Sequence, residues 1–103
     1  MTGGWIVITE GPVPLRCWWN NPVQTTNHFA LILPEVFGVN SWVRSVVDRL
    51  TDRGTPSLAI PLFARTAPEL DLGYSDHDLI EGRRHKEAAT TDQILTDASL
   101  VIQ

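Results

Sequence analysis

Cysteine is nearly absent. A single one, Cys17, stands in a chain of 103 residues, which excludes an internal disulfide framework and a cysteine-rich zinc centre. Long apolar runs are missing as well. None approaches the ~20 residues of a membrane-spanning helix, so no membrane partner is expected. Positive charge is not in excess: the formal net charge is -4. That leaves no electrostatic footprint for DNA, RNA or an anionic lipid surface. The N-terminal stretch MTGGWIVITEG has no basic n-region and no proper apolar h-region, so it does not read as a secretory signal. Neither an internal repeat nor a low-complexity tract occurs. The default is a soluble, cytoplasmic protein that needs no cofactor.

What the chain does contain is enough to fold. Hydrophobic residues make up 43% and charged residues 19%, which argues for a packed core and against wholesale disorder. The length suits one domain with a modest core. Trp5 to Thr9, WIVIT, is aromatic and β-branched and reads as a strand. Gly11-Pro12 and Pro14 break it. Leu15 to Trp19, LRCWW, reads as a second strand, closed by Asn20-Asn21-Pro22. The two suggest an antiparallel pair at a sheet edge, followed by a polar loop over Pro22 to Asn27.

Phe29 to Leu33 is a continuous apolar run, the pattern of a central strand covered on both faces. It stops at Pro34, and a lone carboxylate, Glu35, follows. Asn40 or Ser41 can cap a helix, in which Val43, Val46, Val47 and Leu50 share one face. Gly54 and Pro56 end it. Ser57 to Phe63, SLAIPLF, reads as a fourth strand. Strand, helix and strand with short links form a βαβ unit, so the last two strands should run parallel. A carboxylate-bearing turn between a buried strand and a helix is where α/β proteins place their chemistry.

The second half is more polar. Ala64 to Tyr74 is a loop that carries Arg65, Pro68 and Gly73. Ser75 to Glu87 is strongly charged and reads as a solvated helix interrupted near Gly82. Thr90 or Thr91 caps a last helix, with Ile94, Leu95, Ala98 and Ile102 as its apolar face.

The stretch LPEVFGVNSWVRSVVDRLTDRGTPSLAIPLFART, residues 33 to 66, resembles the dienelactone hydrolase (carboxymethylenebutenolidase) family of the α/β-hydrolase fold. The turn motif of that family matches PEVFGVN at residues 34 to 40. The end of its following strand matches PLFAR at residues 61 to 65. Thr91 to Ile102 looks like the helix that precedes the family's nucleophile strand. The resemblance covers nearly the whole chain and is most specific over residues 29 to 66. It implies an α/β fold, the N-terminal part of an α/β-hydrolase: an antiparallel strand pair, a βαβ unit and C-terminal helices.

The resemblance also implies chemistry. Members of the family hydrolyse carboxylic esters and lactones with a cysteine nucleophile in a G-x-C-x-G elbow, completed by Asp and His. Glu35 resembles the glutamate that activates the thiol, and a carboxylate can take a thiol proton. The backbone N–H of Val36 resembles one arm of the oxyanion hole, a type of contact worth ~3 kcal/mol of barrier. Arg65 resembles the arginine that binds the substrate carboxylate, which a guanidinium can hold by two parallel hydrogen bonds. The expected partner is a small-molecule ester or lactone.

One departure is large. The chain has no G-x-C-x-G and no G-x-S-x-G, hence no nucleophile elbow. Single α/β domains of this kind run to about 200–250 residues. In the family the elbow and the triad Asp and His all follow the last helix seen in this chain. The expectation is therefore one partial domain over residues 1–103, truncated before the elbow and inactive alone. The alternatives are a non-catalytic, partner-binding α/β protein that self-associates through an open sheet edge, and the product of a broken gene.

Other residues carry plainer readings. Cys17, flanked by large apolar residues, reads as a buried structural thiol. Glu35, without the resemblance, is a strand-end cap or surface carboxylate. Arg65 can instead form an ion pair with a nearby acid, Glu35 among them. His28, His77 and His85 do not match the family's triad histidine. Asp76-His77-Asp78 is a weak metal motif, because adjacent helical residues do not share a face. Arg83-Arg84-His85-Lys86 is balanced by Glu81 and Glu87 and reads as a solvated face. Trp5, Trp18, Trp19 and Trp42 read as core or sheet cover.

Overall fold

The structure, a computed structural model, describes residues 3–22 and 27–102. Most of the loop expected over 22–27 lies outside the described residues. Among the described residues four strands form one sheet: β1 (Gly4–Ile8), β2 (Leu15–Asn20), β3 (Ala30–Ile32) and β4 (Ser57–Ala59). Their order is β1-β2-β4-β3. β1 pairs antiparallel with β2 and β2 antiparallel with β4, while β3 and β4 are parallel with Ile32 opposite Ala59. Helix α1 (Ser41–Asp52) links the parallel pair. The edge hairpin and the βαβ unit are thus as the sequence suggests.

Two strand expectations are corrected. Phe29 to Leu33 is not a central strand among the described residues. It ends the sheet, and Phe29 and Leu33 are 40% and 57% exposed. The inner places belong to β2 and β4, and β4 is buried throughout. The expected cover on both faces is not complete either, since Ala30–Ile32 are only half-buried, and an apolar run says nothing of a strand's in-plane neighbours. β4 is also shorter than SLAIPLF. The Ile60 N–H still donates to the Ile32 carbonyl at 3.3 Å, but Pro61 has no N–H with which to continue the ladder.

Alternation along the strands divides the core into two faces. Val43 and Val47 of α1 pack with Val39 and Ala59, joined by Trp5, Trp18 and Ile32. On the opposite face Leu15, Cys17, Leu58 and Ile60 are joined by Leu100 and Val101 from the C-terminal helix α3 (Thr91–Ile102). Trp42, expected as core, is 54% exposed and lies under the Arg49 guanidinium at 4.7 Å.

The helix ends follow their sequence signals. The Asn40 side chain accepts from the Val43 N–H at 3.1 Å. α1 ends at Gly54, whose φ of 98° suits glycine. Helix α2 (Asp76–Ala88) is capped by Ser75, which accepts from the Asp78 N–H at 3.1 Å. It runs without the interruption expected at Gly82, which is buried. Thr90 and Gln93 form a reciprocal capping box at the start of α3.

The buried face of α3 differs from the expected one. Ile94 and Ala98 are half-buried as expected, but Leu95 and Ile102 are exposed, while Asp97 is only 1% exposed. The inward side runs through Asp97, Leu100 and Val101. The buried acid is tolerated there because it has a cationic partner, Arg65. No described helix is long and apolar enough to cross a membrane.

Candidate active site

Beyond Ile32 the chain leaves the sheet at the C-terminal end of a parallel strand. Pro34 is buried and Glu35 is exposed. The turn closes where the Gly38 N–H donates to the Glu35 carbonyl at 3.2 Å, and the Asn40 N–H then donates to the Gly38 carbonyl at 2.9 Å. Gly38 has φ 80°, and a Cβ on it would collide with the Leu70 carbonyl. Only glycine meets both demands.

The turn is held from outside by the loop after β4. Gly38 bridges Asp71, and the Leu72 N–H donates to the Phe37 carbonyl at 2.9 Å. The buried Asn40 amide donates to the Leu72 carbonyl at 3.0 Å and to Tyr74 Oη at 3.1 Å. The Phe37 and Tyr74 rings meet edge to face with centroids 4.7 Å apart. A cavity of about 130 Å³ adjoins the turn, lined among others by Leu33, Glu35, Phe37, Trp42 and Tyr74. Among the described residues neither the Glu35 carboxylate nor the Val36 N–H has a hydrogen-bond partner. Both groups are therefore available to a further group brought to the turn.

Arg65 follows the end of β4, the parallel neighbour. Its guanidinium pairs with Asp97 of α3, Nη1 to Oδ2, at 2.8 Å. The acid partner is Asp97 and not Glu35. The Asp97 side chain is 2% exposed and that of Arg65 23%. Asp97 Oδ1 is buried with no partner among the described residues. A guanidinium has five N–H donors in a fixed fork, so the ion pair orients Arg65 and leaves donors to spare. Asp97 was missed in the sequence because the apolar residues around it suggested another phase for α3.

Cys17 lies away from the turn, on β2, in the core cluster facing α3. It has no exposed surface, and its thiol lies 3.6 Å from the Leu15 carbonyl. Burial pushes the thiol up to about 12, so the thiolate a nucleophile requires is disfavoured. His77 is exposed. His85 lies in α2, with Nδ1 3.3 Å from Thr66 Oγ1 and Nε2 3.9 Å from Glu81. Among the described residues no group of three or more His, Cys, Asp or Glu side chains is gathered in a way that could hold a metal.

Over 72 residues, 70% of this chain, the sequence is 32% identical to a protein of Synechocystis sp. that carries the provisional name carboxymethylenebutenolidase. The match spans 29% of that protein, so the chain covers less than a third of the curated relative. No family model matches the chain. The four-stranded mixed sheet with its three helices is consistent with part of an α/β fold. The 32% identity to that relative, over a part of its length, supports at most a dienelactone hydrolase-like family.

Proposed function

We propose that the chain is the N-terminal part of a dienelactone hydrolase-like enzyme, which opens carboxylic esters or lactones by acyl transfer to a cysteine outside residues 1–103. Glu35 takes the proton of that thiol. The Val36 N–H stabilises the oxyanion that forms when the thiolate attacks the carbonyl. Arg65, oriented by Asp97, binds a carboxylate on the substrate. The observation that carries the reading is the turn at 34–40. It leaves the C-terminal end of parallel strand β3 with a carboxylate and an N–H that have no partner among the described residues, and the neighbouring strand leads to an arginine. The likeness to a protein named carboxymethylenebutenolidase supports the same chemistry. The protein acts in the cytoplasm and needs no cofactor in this reading.

The test is hydrolysis of dienelactone and of a simple aryl ester by purified 1–103. No turnover above buffer is expected, because Cys17 is the only thiol and it is sealed in the core. Turnover that disappears in Cys17→Ala would overturn the assignment.

A second reading is favoured by one observation. β3 ends the sheet with Phe29 and Leu33 exposed, and an open apolar edge invites another strand. In that reading 1–103 is a non-catalytic protein that associates through β3. Size-exclusion chromatography should then show a dimer or larger species, and a clean monomer would eliminate it.

A further inference from the structure

Helix α2 makes little contact with the other helices and strands. Its close approach is to the candidate site. Gly82, at mid-helix, is buried, and a Cβ there would collide with the carbonyl group of Val36. Val36 Cγ2 would stand 3.0 Å from the same Cβ. The helix backbone thus rests directly on the Val36 carbonyl and side chain, one residue's backbone away from the plane that carries the Val36 N–H. Glycine is a poor helix former, so a plain solvated helix has no use for it at this point. What it permits is a backbone-to-backbone approach that any other side chain forbids.

The same helix reaches the arginine. One turn beyond Gly82, His85 meets Thr66, the residue after Arg65, at 3.3 Å. At the end of the helix Ala88 and Ala89 line a small cavity together with Arg65. One helix therefore stands against the Val36 carbonyl and against the segment that carries Arg65.

We propose that Gly82 is a positioning residue for Val36: by holding the Val36 carbonyl and side chain, α2 fixes the residue's backbone and thereby sets the spacing between the Val36 N–H and Arg65. In a substrate that carries both an ester carbonyl and a carboxylate, this spacing selects how far apart the two groups stand. The chemical meaning rests on the roles given above to Val36 and Arg65. The packing does not.

The experiment is amide-resolved NMR of the full chain with Gly82→Ala, and with Arg83→Ala as a control at an exposed position of the same helix. Gly82→Ala should shift the amide signals of Val36 and Phe37 and those of Arg65 and Thr66, and should lower the denaturation midpoint. Arg83→Ala should leave those four signals in place. Shifts confined to α2, or a raised midpoint of the kind glycine-to-alanine gives in an ordinary helix, would overturn the proposal. Should Gly82→Ala not fold, the wild-type chain decides. Cross-relaxation from the Gly82 α-protons to the Val36 methyls supports the contact, and its absence overturns it. Loss of the hydrolase reading would leave these signals unchanged, so the two failures are distinguishable.

Discussion

Arg65 and Asp97, 32 residues apart in sequence, meet at 2.8 Å with the carboxylate all but sealed from water. Removing one partner of a buried pair costs far more than the pair contributes, because the other charge is left stranded. Asp97 is the more deeply buried partner. Arg65→Ala should therefore destabilise the fold by about 3 kcal/mol. Asp97→Asn keeps an acceptor and leaves Arg65 partly in water, so it should cost about 1 kcal/mol. Urea midpoints of the two variants check the order. Equal losses would mean that Asp97 tolerates burial without its partner.

Asp48 holds the opposite face of the sheet. Its Oδ1 accepts from the Gly3 N–H at 3.0 Å, Trp18 Nε1 at 3.0 Å and Asn20 Nδ2 at 2.9 Å. Asp48→Ala removes the acceptor shared by three part-buried donors and should cost about 2–3 kcal/mol. Asp48→Asn retains an oxygen at this position and should cost less. Trp18 also stands edge to face with Trp5, centroids 5.2 Å apart, so the alanine variant should change tryptophan emission before the unfolding transition. An unchanged native spectrum and midpoint would remove Asp48 from the account.

Gly38 and Gly54 both have positive φ, 80° and 98°. Around Gly54 an added Cβ meets nothing, whereas at Gly38 it meets the Leu70 backbone. Gly54→Ala should cost only the left-handed conformation, about 1 kcal/mol. Gly38→Ala should cost that and a displacement of the Leu70–Leu72 strap, so its thermal midpoint should fall well below that of Gly54→Ala. Equal midpoints would mean that the turn yields without cost.

The Cys17 thiol is raised from 9.0 to about 12 by burial. The folded state thus holds its proton where the unfolded chain has lost it. The contribution to stability is constant below about pH 9 and is lost progressively between 9 and 12. Near neutral pH the native thiol should ignore a disulfide reagent and react only at the rate of opening. Stoichiometric labelling of the native chain at pH 7 would contradict the burial.

The sequence was informative where local physics decides. The Asn40 cap, the stop at Gly54 and the apolar stripe of Val43 and Val47 each follow from a few neighbouring residues. The β3-α1-β4 order predicts a parallel pair, and the pair is parallel. Illegible were features that depend on distant partners. Nothing near Phe29 says that β3 has no outer neighbour among the described residues. Nothing near Asp97 names Arg65. Gly82 looked like a break because its reason for being glycine is a carbonyl 46 positions earlier, at Val36. For the candidate site, the motif drew attention to Glu35, Val36 and Arg65. The surroundings of each, from Leu72 against the turn to Asp97 beneath the arginine, came only from the fold.

The central claim is that Glu35 and Val36 serve a nucleophile outside residues 1–103. The coding sequence downstream of codon 103 tests it most directly. A G-x-C-x-G elbow is expected in one of the downstream frames, followed by the codons for an Asp and a His. A downstream sequence with no such elbow in any frame would contradict it.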